Sequence, residues 1–145
     1  MIRKNPFSFI SLRFHIKVLA MEQIIRHISD QIQSEITAFR PVSVGDISSA
    51  YLLETQSQKF LLKVNSKSSA KTMFDAEQQG LRAIESTKTI AVPHVHLVDE
   101  WDGKAFLLMD FIESRRPNAK DYMHLGRDMA NLHLNSNDEF GFSSD

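Results

Sequence analysis

The chain has 145 residues, of which 42% are apolar and 24% are charged, and its formal net charge at pH 7 is -1. This length and apolar content suffice for one domain with a real core, and the near-neutral charge argues against a protein that binds nucleic acid mainly by neutralising phosphates. The sequence has no cysteine, which excludes disulfides and thiolate chemistry, and no apolar run approaches the roughly 18 residues of a membrane span. We expect a cytoplasmic protein whose partners are neither nucleic acid nor membrane.

The first twenty residues differ in composition from the rest of the chain. They contain four basic residues and no acidic residue. Arg13 and Lys17 interrupt the apolar stretch, so the segment makes a poor secretory signal. Met21 follows directly and opens a regular helical pattern. We therefore interpret residues 1–20 as an extension outside the fold.

The first regular pattern is an amphipathic helix over residues 21–37. Its apolar stripe consists of Ile25, Ile28, Ile32 and Ile36. Three segments typical of strands follow at 38–44, which is interrupted at Pro41, at 50–54 and at 59–65. Because short polar turns separate these segments, we predict an antiparallel meander.

A second helix and a hairpin come next. Ser68 or Ser69 can cap a helix that covers residues 70–84. An extended segment follows, and Asp102-Gly103 is typical of a hairpin turn. Residues 104–112 are the most apolar of the strand segments, which predicts a central strand.

The carboxy-terminal part reads as a linker and a helix. Residues 113–118 are polar and contain a proline, as a linker does. Residues 119–134 return to a helical pattern with Leu125, Met129 and Leu132 on one stripe. The predicted order is helix, three strands, helix, two strands, linker and helix.

Lys63 stands among the aliphatic residues of a predicted strand. Alternation places Phe60, Leu62 and Val64 on one face and Leu61 with Lys63 on the other. The first face can pack on the core. The second face combines an apolar contact with a positive charge, which suits a flat aromatic base beside a polyphosphate. We interpret Lys63 as a ligand of the phosphates of ATP.

A carboxylate interrupts the apolar stripe of the second helix. Glu77 lies four residues after Met73 and four before Leu81, and a carboxylate is costly to bury alone. Lys63 is the available cation on the preceding strand, so we predict that the two form an ion pair. Either charge alone is explained equally well by a side chain that snorkels to solvent, but the pair explains both positions at once.

This element order, with its lysine–glutamate pair, resembles the amino-terminal lobe of the protein-kinase-like fold. More narrowly, the chain is similar to the fructosamine kinase (ketosamine-3-kinase) family over about residues 30–142. The resemblance rests on VGDISSAY (44–51), FLLKVN (60–65), MFDAEQQGL (73–81), VPHVHLV (92–98), FLLMDFI (106–112), LGRDMANLHL (125–134) and FGF (140–142).

The resemblance implies an α+β fold and an activity. Residues 21–112 would form the lobe, a mostly antiparallel five-stranded sheet with one long helix, and residues 113–145 would form the linker and the first helix of a second, helical lobe. The implied reaction is the ATP- and Mg²⁺-dependent phosphorylation of the 3-hydroxyl of a ketosamine, a fructosamine or ribulosamine on an amine or a protein lysine. The phosphorylated adduct then decomposes, which makes the activity a deglycation repair.

The resemblance also implies roles for the phosphate-facing residues. Lys63 would bind the nucleotide phosphates, and Glu77 would orient Lys63. A small-residue turn would cover the phosphates with backbone N–H groups. Its residues are Gly45, Asp46, Ile47, Ser48 and Ser49. The family usually shows two glycines where this chain has Val44-Gly45, which implies a stiffer turn.

A second group of residues would hold the adenine. Leu61 would offer the base an apolar contact, and Met109 would lie at the back of the adenine pocket. The backbone of Asp110, Phe111 and Ile112 would form hydrogen bonds with the adenine edge.

The groups that carry out phosphoryl transfer do not occur in this span. In the family the catalytic base and the Mg²⁺ ligands lie in an HGDLWSGN-type loop and a DP-type motif, and the sequence contains neither. His94 and His96 alternate on a strand without a third ligand, so no metal site is predicted. We therefore expect the amino-terminal half of a kinase, inactive alone, whose metal ligands lie in the second lobe.

Two alternatives stay open at this point. A related small-molecule kinase, of the aminoglycoside or choline kinase type, would share this half, because the acceptor is chosen mostly by the second lobe. A half-kinase that binds nucleotide or a partner without catalysis is the other alternative. A downstream coding remnant of the HGDxxxxN type would favour an enzyme over this last alternative.

We predict that residues 1–20 do not stabilise the domain, because their charge and pattern break off at Met21. Cleavage before Met21 by limited proteolysis should leave the melting temperature of the remainder unchanged. A clear fall in that temperature would contradict the interpretation.

Overall fold

The computed structural model describes residues 7–44 and 48–136. These residues form an α+β fold that confirms the predicted class. The elements are α1 (Phe7–Ile32), β1 (Ala38–Val44), β2 (Ser49–Glu54), β3 (Lys59–Asn65), α2 (Ala70–Thr87), β4 (Val95–Trp101), β5 (Lys104–Asp110) and α3 (Ala119–His133).

The five strands form one antiparallel sheet in the order β1-β2-β3-β5-β4. The predicted meander of the first three strands is present. The strand β5 lies inside the sheet, between β3 and β4, which confirms that it is a central strand and not an edge strand; β3 is the middle one of the five. Pairing on both edges and packing on both faces explain why β5 is so apolar. Asp102 and Gly103 have φ of 49° and 67°, the backbone of a tight hairpin turn.

Helix α1 differs from its predicted bounds of 21–37. It begins at Phe7, because no glycine or proline interrupts the chain between there and Ile32. It ends before Gln33, whose φ of 53° is left-handed. Within residues 7–44 and 48–136, no helix is both long and apolar enough to cross a membrane.

The sheet separates two apolar clusters. The α1 cluster, on one face, consists of Ile24, Ile25, Ile28, Leu53, Phe60, Leu62, Val64, Phe106 and Leu108. The α2 cluster, on the other face, consists of Ala70, Phe74, Val95, Ala105, Leu107 and Met109. Alternation along β3 therefore sends its even-numbered apolar residues to α1 and leaves Leu61 and Lys63 on the face of α2.

Two residues that were expected to shape an element, Pro41 in β1 and Ser69 before α2, act differently in the structure. The strand β1 continues through Pro41 with a register shift between Pro41 and Ser43, which an edge strand tolerates because it need not donate there. Ser69 occupies the N-cap of α2, but its side chain makes no capping hydrogen bond. The helix begins instead after a turn in which the Asn65 side chain accepts from the N–H of Lys67 at 2.9 Å.

Helix α3 has a well-formed N-terminal cap, but its side chains pack little against the rest of the described residues. The Asn118 side chain and Asp121 form a capping box, and Arg115 of the linker holds both oxygens of Asp121 at 2.7 and 2.5 Å. The structure describes α3 in full, and none of its residues is buried. Its exposed large apolar residues are Tyr122, Met123, Leu125 and Met129.

The capping arrangement generates a prediction about pH. The hydrogen bond from Arg115 and the backbone hydrogen bond at Asn118 lower the pKa of Asp121 from 3.8 to about 2. A carboxyl with a depressed folded-state pKa stabilises above its ordinary pKa and loses that contribution as the pH falls through the lower value. The Cα chemical shifts of residues 119–123 should therefore move towards coil values between about pH 4 and pH 2.

The control for this prediction is Asp121→Asn, which should show the frayed first turn at every pH in that window. A midpoint for Asp121 at or above 3.8 in the unaltered chain would contradict the depressed pKa.

Candidate functional site

The ammonium group of Lys63 and the carboxylate of Glu77 are in direct contact. Lys63 Nζ lies 2.8 Å from Glu77 Oε1 and 2.6 Å from Oε2. The two side chains are 28% and 30% exposed, so the pair lies at the border between the α2 cluster and solvent. The structure thus brings together the two charges that the sequence singled out.

The strand register explains why Lys63 is held at this place. Lys63 lies opposite Ala50 of β2 and Leu107 of β5. Ala50 is too small to cover the lysine stem, and Leu107, beside Lys63 on the other neighbouring strand, is fully buried. The Nζ atom also lies 5.9 Å from the ring centre of Phe74, on α2. The stem therefore rests on apolar groups while the charged tip meets Glu77.

An apolar row crosses the sheet two residues from Lys63. Leu52, Leu61, Met109 and Val95 follow one another in register across four strands. Leu61 is half-buried, and Met109 is buried at 4% exposure in the α2 cluster. The structure thus places Leu61 and Met109 side by side on the face that carries Lys63. Their contact with adenine stays a prediction.

The predicted adenine-binding backbone lies where β5 passes into the linker. Asp110 ends β5. The N–H of Phe111 donates to the carbonyl of Lys59 at 3.2 Å, so that donor is already used within the protein. Ile112 follows with a side chain 64% exposed, and its backbone forms no hydrogen bond to other backbone groups of the described residues.

The carboxylate of Asp110 is engaged by the start of β4. Its Oδ1 accepts from His96 Nε2 at 2.7 Å and its Oδ2 accepts from the His94 N–H at 3.2 Å. Burial raises the pKa of Asp110, but these hydrogen bonds outweigh burial and hold the pKa below its usual range. The side chain is therefore ionised at neutral pH and serves a structural contact.

The predicted phosphate-covering turn is described only at its end. Gly45, Asp46 and Ile47 lie outside the described residues. Ser48 and Ser49 are half-buried, and Ser49 begins β2 opposite Val64. Ser49 is thus adjacent in the sheet to the strand that carries Lys63, as a covering turn requires.

Two histidine contacts were not predicted from the sequence. His96 reaches Asp110 on the α1 face of the sheet, and the alternation of β4 alone does not show which residue of β5 lies beside it. His27 lies on the packed stripe of α1, stacks on the ring of Trp101 at 4.3 Å and has its Nε2 3.4 Å from Asp99. The signal for His27 was its position three residues after Ile24, inside the isoleucine stripe.

We predict that Lys63 and Glu77 are energetically coupled. Glu77→Ala leaves a half-buried ammonium group unpaired, and Lys63→Ala does the same to the carboxylate. The double substitution should therefore cost less than the sum of the two single ones, with a coupling free energy of about 1–2 kcal/mol in chemical denaturation.

The matched control is the pair Lys71–Asp75, which lies on the same helix with Nζ–Oδ1 at 2.6 Å and side chains 36% and 39% exposed. Its coupling should be about 0.3–0.5 kcal/mol, as is usual for an exposed i,i+4 pair. Strictly additive effects at Lys63 and Glu77 would show that the contact contributes nothing to stability.

Comparison with known proteins agrees with this geometry. A crystal structure from Haemophilus somnus that carries the name fructosamine-3-kinase superposes with a TM-score of 0.70 at 22% identity, covering 79% of this chain and 39% of that one. A spectinomycin phosphotransferase in complex with ADP and spectinomycin superposes with a TM-score of 0.60 at 16% identity, covering 79% of this chain and 38% of the other. At these identities the likeness concerns the fold, which is that of protein-kinase-like phosphotransferases.

Sequence comparison is more specific. The chloroplastic protein-ribulosamine 3-kinase of Arabidopsis thaliana is 33% identical over 117 residues, which are 77% of this chain and 35% of that protein. The "Probable ketoamine kinase" of Enterococcus faecium is 33% identical over 105 residues, 72% of this chain and 36% of the relative. The chain thus spans little more than a third of the length of these two relatives. The fructosamine kinase family model matches residues 20–145, and the chain belongs to the fructosamine kinase family.

Proposed function

We propose that this chain supplies the nucleotide-binding half of an ATP-dependent ketosamine kinase that acts in cytoplasmic deglycation repair. The observation that carries the proposal is the doubly bonded pair of Lys63 and Glu77 on the α2 face of the sheet, in a chain of this family. The pair fixes the tip of a long flexible cation, and a fixed cation is what a polyphosphate ligand needs.

The residues around Lys63 fit the phosphates of ATP. The ammonium group has three donors, of which Glu77 takes two. The third can reach a phosphate oxygen, and Ala50 beside it leaves room for the group. The turn that ends at Ser48 and Ser49 would add backbone N–H donors. Lys63 thus orients the phosphates, and Glu77 keeps Lys63 in place.

The neighbouring row fits adenine. Leu61 is half-buried and Met109 is buried next to it, which gives a flat base an apolar surface. The carbonyl of Asp110 and the backbone of Ile112 would meet the polar edge of the base, since the N–H groups of Asp110 and Phe111 already bind the carbonyls of His94 and Lys59. The alternation of β3 and the position of the end of β5 support this arrangement.

The remaining catalytic groups would come from a second lobe, in the part of the longer relatives that this chain does not cover. Mg²⁺, when bound, neutralises charge on the β- and γ-phosphates. Among residues 7–44 and 48–136, no group of three His, Cys, Asp or Glu side chains is arranged to hold a metal ion. We therefore place the metal ligands and the base that accepts the 3-hydroxyl proton in that lobe.

Two observations support a second lobe as the partner of this half. Helix α3 exposes Tyr122, Met123, Leu125 and Met129, an apolar surface that a helical lobe would cover. The relatives named above extend well beyond the matched region. The acceptor class follows from their names, one of which specifies a protein-bound ribulosamine.

We predict that the 145-residue chain alone does not phosphorylate ketosamines. A chimera that continues this chain after α3 with the remainder of the Enterococcus faecium relative should transfer phosphate from ATP to a ribulosamine or fructosamine of lysine. In the chimera, Lys63→Ala should lower kcat/KM by at least about 100-fold, because positioning and electrostatics supply most of the catalysis in phosphoryl transfer.

The matched control is Lys71→Ala, which removes a lysine of similar exposure whose partner is Asp75 and should leave kcat/KM unchanged. Turnover by the 145-residue chain that Lys63→Ala abolishes would show that the catalytic groups lie in this half. A chimera that phosphorylates an aminoglycoside or choline but no ketosamine would overturn the proposed acceptor.

A further inference from the structure

The carboxylate of Asp110 ties the end of β5 to two neighbouring segments. Oδ1 accepts from His96 Nε2 at 2.7 Å and from Gln58 Nε2 at 3.4 Å, and Oδ2 accepts from the His94 N–H at 3.2 Å. The N–H of Asp110 donates to the His94 carbonyl at 2.9 Å. One residue therefore joins the last position of β5 to the start of β4 and to the turn before β3.

His96 lies at the bulge in β4. The register between β4 and β5 shifts between Val95 and Leu97, which leaves His96 as the extra residue. Val95 packs in the α2 cluster, so ordinary alternation places His96 on the α1 face, and the bulge puts Leu97 on that face as well. The His96 ring meets the Phe60 ring edge-on at 5.0 Å, which places His96 on the α1 face next to Asp110. Without the bulge, His96 and Leu97 would point to opposite faces.

Asp110 and Lys63 belong to opposite faces of the sheet. Asp110 lies directly opposite Phe60 in the ladder, and Phe60 packs in the α1 cluster. Leu61 and Lys63 lie on the α2 face, where the nucleotide is proposed to bind. The carboxylate of Asp110 therefore acts on a nucleotide only through the backbone that follows it.

That backbone is the beginning of the linker. After Asp110 the next anchors are the hydrogen bond from Phe111 N–H to the Lys59 carbonyl at 3.2 Å and the ion pair of the Lys59 ammonium group with Glu113. Both side chains of this ion pair are well exposed, at 47% and 69%, so the pair restrains the linker weakly. The half-buried carboxylate of Asp110, with three donors, is the stronger restraint.

We propose that Asp110, held by His96, is a positioning residue that keeps the backbone of residues 110–112 in the place where it binds the nucleotide base. The inference rests on the proposed function, since it assigns the base to that backbone. It extends that function to a side chain that lies on the far face of the sheet and touches no ligand.

The test is a titration of the ¹⁵N-labelled 145-residue chain with ADP, followed by NMR. Asp110→Ala and His96→Ala should each raise the Kd for ADP by about tenfold. His96→Gln should restore the affinity to within about twofold, because the Gln amide can donate from near the position of Nε2. Asp75→Ala is the matched control, since its carboxylate is 39% exposed against 37% for Asp110 and binds only Lys71 among the described residues.

Amide hydrogen exchange in the ligand-free chain gives a second readout. Asp110→Ala and His96→Ala should speed exchange at Phe111, while Lys63 and its strand neighbours in β3 keep their protection. A general loss of protection would mark a variant that fails to fold, and the His96→Ala and His96→Gln pair would then decide the outcome.

The results separate the two proposals. If the unaltered chain binds ADP and Asp110→Ala or His96→Ala leaves the Kd and the Phe111 exchange rate unchanged, the positioning role is overturned while the nucleotide site stands. If the unaltered chain shows no shifts with ADP near Lys63 and Leu61, the nucleotide site itself is overturned, and the role of Asp110 with it.

Discussion

The ion pair between Lys63 and Glu77 is the contact on which the rest of the site depends. It joins β3, the middle strand of the sheet, to α2, at the point where the α2 cluster meets solvent. A lysine alone at this position would swing into water, and a glutamate alone would sit uncompensated in an apolar stripe. Together they create a cation of fixed position beside an apolar row, and a fixed charge next to an apolar surface is an arrangement that can bind a ligand.

The two faces of the sheet have different roles. The α1 face is packed core, and the α2 face carries the ion pair. The α1 face is filled by isoleucines of α1 and by Phe60, Leu62 and Val64 of β3. The α2 face is filled by Phe74 of α2 and by Val95, Leu107 and Met109 of β4 and β5, and it leaves Leu61 and Lys63 half-buried. Because successive side chains of a strand alternate, β3 contributes to both faces at once. The stability of one face thereby holds the geometry of the other.

The linker between β5 and α3 is anchored at both of its ends. Asp110 fixes its start to β4, and Arg115 fixes its end to Asp121 at the first turn of α3. Between them the chain is held mainly by exposed contacts. A connection anchored at both ends and loose between them suits a segment that must present backbone groups to a ligand and also carry a helix that faces another lobe.

Much of this protein was determined by its sequence alone. The order of elements, the two faces of β3 and the pairing of Lys63 with Glu77 follow from local periodicity and from charges placed where apolar residues belong. The kinase family follows from the resemblance of several short motifs to those of known proteins. Tertiary structure alone decided the middle place of β3 in the sheet, the contact of His96 with Asp110 and the stacking of His27 on Trp101. These depend on register between strands distant in sequence, and a period of two along one strand carries no information about which residue lies opposite on the next.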